Sequence, residues 1–251
     1  MAGHSKWANI KHKKAATDAK RGKLWSKLSK AIIVAAKGGS DLDSNHKLRQ
    51  AVADAKAASV PKDNIERAIK KGSGESGEAV NYEEIIYEGY GPNGVAVMCD
   101  ILTDNRNRTA PELRKVFEKH GGKMGATGCV GWMFDRKGMF VISKETADEE
   151  RVMEVTLEAG ADDMNAEGDV IEVYCEPEVY TQVGEALETA EIKVESSQVT
   201  RIPQNTVELN VDDARQVLKL MEMLDDHDDV QNVSSNFDIP EAAMAELSAE
   251  G

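Results

Sequence analysis

Charge is divided unevenly along this chain, and the division limits what each part can touch. Residues 1–71 carry 17 Lys and Arg against 6 Asp and Glu, a net of +11. Residues 72–251 carry 14 against 39, a net of −25. The break falls at GSGESG, residues 72–77, the stretch with the most linker-like composition. A basic module joined to an acidic body points to an anionic partner at one end only. The acidic body is expected to face away from phosphate or to meet protein.

Length and composition narrow the classes. A chain of 251 residues suits two domains, or three small ones. No window approaches 18 apolar residues in a row, so no membrane span is expected. The basic start MAGHSKWANIKHKK lacks a following apolar run, which argues against a secretory signal. Cys99, Cys129 and Cys175 are odd in number and widely spaced. They offer neither a metal motif nor a disulfide framework, so a reducing cytoplasm is the expected compartment.

Periodicity predicts the organisation. After an arm at 1–14, a helix is expected from Ala16 or Lys20 to Lys37, with Leu24, Leu28, Ala31, Ile32 and Ala35 on one face. A second helix fits Asn45–Ala58, capped by Asn45, and Pro61 opens a third. The runs flanking GYGPNG read as a hairpin. Thr109 and Glu112 suggest a capping box for a helix through Lys119, and Cys129–Phe134 reads as a strand. From 139 to 201 the order is βαββαβ, the ferredoxin-like pattern. After Pro203 a strand, an amphipathic helix and a last strand complete a unit begun at 80–134. The fold class is therefore α+β: an N-terminal helical domain and two α/β domains of ferredoxin-like type, one inserted in the other. The expected division is 1–78, then 79–135 with 204–240, and 136–203 inserted.

No dinucleotide, P-loop, zincin or hydrolase motif is present, and no metal or cofactor is expected. His120 and His227 read as charge partners of helix C-termini. Asp162-Asp163, Asp212-Asp213 and Asp225-Asp226 read as solvated turn or cap residues. The basic module is different. Lys6, Lys11, Lys13, Lys14, Lys20, Arg21, Lys23, Lys27, Lys30 and Lys37 stand against one acid, Asp18. Lys20, Lys23, Lys27 and Lys30 recur at helical spacing on a face turned away from the apolar stripe, so they are expected to point outward. Lysines suit phosphate contact with little sequence reading. Trp7 either stacks on a base or anchors the arm to Trp25. The second helix offers Lys47, Arg49, Gln50 and Lys56, which is thin for base readout. Arg106 and Arg108, between a strand and a helix N-terminus, either contact phosphate or a partner, or pair with the acidic body at residues such as Glu83, Glu84 or Glu88.

Several motifs in order carry a resemblance: GHSKWANIKHKKAATDAKRGKLWSKL at 3–28, IIYEGYGPNGVAV at 85–97, LTDNRNRTAPELRKVFEKHGG at 102–122, EAGADD at 158–163 and LMEMLDDHDDVQNVSSNF at 220–237. Together they resemble the YebC/PmpR family, which includes a mitochondrial translational activator of cytochrome c oxidase subunit I. Trp25 stands where many members have Phe. The resemblance implies a helical domain followed by two α/β domains. It also implies a non-enzymatic nucleic-acid-binding regulator, acting either on DNA in transcription or on rRNA at the ribosome. By motif match, Lys6, Trp7, Lys11, Lys13, Lys14, Lys20, Arg21 and Lys23 would carry the contact.

Overall fold

The computed structural model describes residues 18–77, 81–166 and 168–249. Within them the fold is mixed α+β, with an N-terminal helical region and two α/β subdomains. The helical region comprises α1 (Asp18–Ala36), α2 (His46–Ala57) and α3 (Lys62–Ser73). Asn45 caps α2 by accepting the Leu48 N–H at 3.1 Å, as its sequence position predicts. Ile32, Ala36, Leu48, Val52, Ala55, Ile65 and Ala68 make the core. Trp25 packs at its edge, and its indole N–H donates to the Ala58 carbonyl at 3.0 Å.

The linker starts later than its composition suggests. Gly72 and Ser73 belong to α3, and a Cβ on Gly72 would lie 2.3 Å from the Ile33 carbonyl oxygen and 2.7 Å from Ala36 Cβ. Gly72 is therefore where α3 crosses α1 at close approach, and Gly74 ends the helix.

The first α/β unit is a four-stranded sheet in the order β3-β1-β2-β9, with β1 (Glu83–Tyr90), β2 (Ala96–Thr103), β3 (Lys123–Met124) and β9 (Val230–Ser235). The β1–β2 hairpin turns at a short 3-10 segment, Pro92–Gly94. Helices α4 (Arg106–Lys119) and α7 (Val211–Asp225) cover one face, burying Leu113, Phe117, Val217, Leu220 and Leu224 against Val97, Cys99 and Ile101. The capping box does not form. Helix α4 starts one turn earlier, with Asn105 accepting the Arg108 N–H at 3.2 Å, and Thr109 lies inside the helix and buried.

The second unit is built from β4 (Phe134–Ser143), α5 (Glu149–Glu158), β5 (Asp163–Asn165), β6 (Val170–Cys175), α6 (Tyr180–Thr189) and β7 (Val194–Pro203). Its antiparallel sheet has the order β5-β6-β4-β7, the ferredoxin-like arrangement of a βαββαβ chain. Strands β4 and β7 pair along their whole length, from Phe134↔Pro203 to Ile142↔Val194. The chain thus leaves and re-enters the first unit at adjacent points. After β7 come β8 (Val207–Glu208), which pairs in parallel with β10 (Phe237–Asp238), and a closing helix α8 (Glu241–Ala249).

The strand expected at Cys129–Phe134 is instead a turn and a 3-10 segment, Gly131–Met133. Its backbone N–H groups are turned inward by a carboxylate. Glu88 accepts from Gly128 at 2.7 Å, Val130 at 2.8 Å and Gly131 at 2.7 Å, which takes these donors from any strand ladder.

Candidate nucleic-acid interface

Lys6, Trp7, Lys11, Lys13 and Lys14 lie outside the described residues, as does the side chain of Lys20. Arg21 is exposed, with its guanidinium 5.6 Å from the centre of the Trp25 ring. The lysines that follow do not make the outward face expected of them. Lys23 donates to the Asp226 carbonyl at 3.1 Å, Lys27 to the Asp225 carbonyl and to its carboxylate at 3.3 Å, and Lys30 to the Asp228 carbonyl at 2.8 Å and the Asp229 carboxylate at 2.9 Å. Lys27 is only 8% exposed. Residues 225–229 are the end of α7 and the turn after it, where unsatisfied carbonyls and the helix dipole present negative charge. Lys23 and Lys27 therefore cap α7, Lys30 binds the turn beyond it, and the basic helix is joined to the acidic body through all three.

Asp229 is the centre of this joint. Its carboxylate, 4% exposed, accepts from Lys30, from Arg108 at 2.7 Å, from Thr109 at 2.8 Å and from Thr103 at 3.2 Å. Burial alone would raise its pKa, but the hydrogen bonds from Lys30, Arg108 and Thr109 outweigh that and hold it well below the usual carboxylate range. Arg108 also pairs with Asp104 at 3.1 Å, and its own pKa is raised chiefly by Asp229. The acidic partner of Arg108 is thus Asp229, not Glu83, Glu84 or Glu88. Arg106 is exposed and makes no ion pair among the described residues.

The remaining cations of the helical region divide in the same way. On α2, Arg49 donates to the Leu42 carbonyl at 2.9 Å and the Asp43 carbonyl at 2.7 Å, and Gln50 to Asp54 at 2.8 Å. These are the two side chains there best suited to reading bases, and both are held within the domain. Lys47, Lys56, Arg67 and Lys70 are exposed. Lys37 reaches across to the Tyr82 carbonyl at 3.1 Å, and Lys30 lies 5.9 Å from the Tyr82 ring centre, so the chain entering β1 is held beneath α1.

Neither histidine is a simple C-terminal charge partner. Burial, then Lys119 and Lys219, lower the pKa of His120 and disfavour its cation. His227 Nδ1 accepts the Asp229 N–H at 3.2 Å, so Nε2 carries the hydrogen and faces Glu112 at 3.0 Å. Asp225 and Asp226, expected as solvated turn or cap residues, instead receive Lys27 and Lys23, and sequence reasoning missed Asp228 and Asp229. The available signal was the match between the DDHDD run closing a helix and the helical spacing of Lys23, Lys27 and Lys30. Among the described residues no group of three or more His, Cys, Asp or Glu could hold a metal ion, and no helix is long and apolar enough to cross a membrane.

Comparison with known proteins finds relatives over nearly the whole chain. Residues 5–75 match the TACO1/YebC protein N-terminal domain, and residues 82–237 match the TACO1/YebC second and third domain. A probable transcriptional regulatory protein of Natranaerobius thermophilus is 58% identical over 248 residues, covering 97% of this chain and 99% of its own length. One from Geobacter sulfurreducens is 56% identical over 248 residues, covering 98% and 100%. Among solved structures, a conserved hypothetical protein from Aquifex aeolicus superposes with a TM-score of 0.81 at 47% identity, covering 91% of this chain and 94% of that one.

Proposed function

The chain belongs to the TACO1/YebC family, and from that premise we propose that it is a non-catalytic regulator of gene expression in the cytoplasm that binds the nucleic-acid phosphate backbone through its N-terminal module. The observation that carries the reading is the charge division, +11 over the first 71 residues against −25 over the rest. The contact is assigned to Lys6, Trp7, Lys11, Lys13, Lys14, Lys20 and Arg21. Lys23, Lys27 and Lys30 join it only when their joint to residues 225–229 opens. The engagement of Arg49 and Gln50 within the domain supports backbone contact over base reading, and so supports rRNA at the ribosome as target. The acidic body is left to face solvent or a protein. The division into 1–78, 79–135 with 204–240, and 136–203 is supported by a separate apolar cluster for each part.

A second reading, a sequence-specific regulator at promoters, is favoured by the description of the relatives as probable transcriptional regulatory proteins. Titration of the full chain with rRNA fragments and with duplex DNA, over a range of salt, separates the two. Backbone binding predicts that charge reversal of Lys11, Lys13 and Lys14 weakens all ligands alike, and that the salt slope falls by roughly 1 for each phosphate no longer neutralised. Unchanged binding at low and moderate salt would overturn the assignment to the arm. Selective loss at one DNA sequence would favour the promoter reading.

A further inference from the structure

On the α/β body, a second feature faces solvent with no role in the joint. Trp132 is 69% exposed, more than any other large apolar side chain among the described residues, and Tyr90 is 39% exposed beside it. The two rings are tied to one atom: Tyr90 Oη donates to the Cys129 carbonyl at 3.1 Å, and Trp132 Nε1 to the same oxygen at 3.3 Å. The polar atom of each ring is therefore occupied, and what the rings offer a ligand is ring surface.

This arrangement is held rigidly from below. Glu88, two residues before Tyr90 on the same face of β1, is buried and takes the three N–H groups of the 128–131 turn. The Glu88 carbonyl accepts a fourth, from Gly125 at 2.8 Å. Exposing an indole has a cost in water, and here four hydrogen bonds fix the loop that exposes it.

A cation stands beside the rings, although the body as a whole is acidic. Lys123 stands directly across from Tyr90 in the β1–β3 pairing, which places its side chain on the same face of the sheet. Strand β3 is the edge of the sheet, so this face is open on that side. Exposed aromatic faces next to a lysine are a combination that binds single-stranded nucleic acid, with a base on the rings and a phosphate on the cation.

We propose that Trp132, Tyr90 and Lys123 form a stacking platform for an unpaired nucleotide, a second nucleic-acid contact on the α/β body. The inference rests on the nucleic-acid reading above and deepens it by naming single-stranded nucleic acid as the class of ligand. The occupied polar atoms of the rings and the adjacent lysine favour this ligand over a protein.

The test uses the full chain with a short oligouridine and with a duplex DNA of equal length. Trp132→Ala is expected to lower affinity for the oligouridine by about tenfold or more and leave duplex binding unchanged, because stacking needs a free base face. Trp132→Tyr retains most of the affinity. Lys123→Ala reduces the oligouridine salt slope by about 0.7, the value for one single-strand phosphate contact. Because Trp132 is mostly exposed, the variants are expected to melt with the wild type. Unchanged oligouridine affinity in a folded Trp132→Ala variant would overturn the platform and leave this patch to a protein contact. If the wild type bound neither ligand at any salt, the nucleic-acid reading itself would fall, and the platform with it.

Discussion

A carboxylate that is almost wholly buried stays ionised only where donors replace the water it has lost. Asp229 has four, drawn from α1, β2 and α4, and they hold it charged despite burial. Its folded pKa is below the unfolded value of 3.8, so the folded state binds its proton less readily. The stability this confers is fully present above the unfolded pKa and is lost as pH falls below it toward the folded value. Asp229→Asn should therefore cost about 3 kcal/mol near neutrality, the scale for breaking a buried ion pair. The gap between wild type and variant should narrow below about pH 4. Denaturant melts at several pH values check both the size and the window. A gap independent of pH down to strongly acid conditions would mean that the charge of Asp229 is not what matters. Little of this is legible in the sequence. Thr109 reads locally as a cap, yet its hydroxyl serves Asp229, 120 residues away in the chain. Long-range polar partners leave no periodic trace in sequence.

At the scale of elements, apolar periodicity is informative because burial repeats with the geometry of the element. Leu113 and Phe117 of α4, and Ala214, Val217, Met221 and Leu224 of α7, are buried as their spacing predicts, while Val116 and Leu218, on the same predicted faces, are only half-buried. The ferredoxin-like unit is legible for the same reason. The departures occur where one side chain overrides local preference. Glu88 coils most of Cys129–Phe134, which reads as a strand, and a helix crossing absorbs Gly72, which reads as linker. The second case gives a direct test. In Gly72→Ala the added methyl would meet the Ile33 carbonyl at 2.3 Å, and backbone cannot give way as a side-chain tip can. Helices α1 and α3 must separate, so the substitution should destabilise the chain by about 1–3 kcal/mol, despite alanine's better helix propensity. Thermal or denaturant unfolding measures this directly. A neutral or stabilising outcome would show that α1 and α3 can part at this crossing with little loss of packing.

For the whole molecule, the charge division that suggests a free basic module also supplies the contact that fixes it. The +11 region and the −25 region meet where Lys23, Lys27 and Lys30 bind the end of α7 and the turn after it. A hydrogen bond to a charged group contributes about 1.5–3 kcal/mol, so together the three make a firm joint, with Lys23, 46% exposed, contributing least. Replacing all three by Met keeps their aliphatic stems and removes the charge. The expected result is release of the helical region: a larger radius of gyration by small-angle scattering, and faster proteolysis between residues 74 and 82. Salt alone should do less to the wild type, because Lys27 and Asp229 are buried and ions screen them weakly. An unchanged radius of gyration in the triple variant would mean that other contacts orient the domains. A wild type that expands readily with salt would mean that the joint is a weak surface pairing, and Lys23, Lys27 and Lys30 would then be open to phosphate without any competing partner.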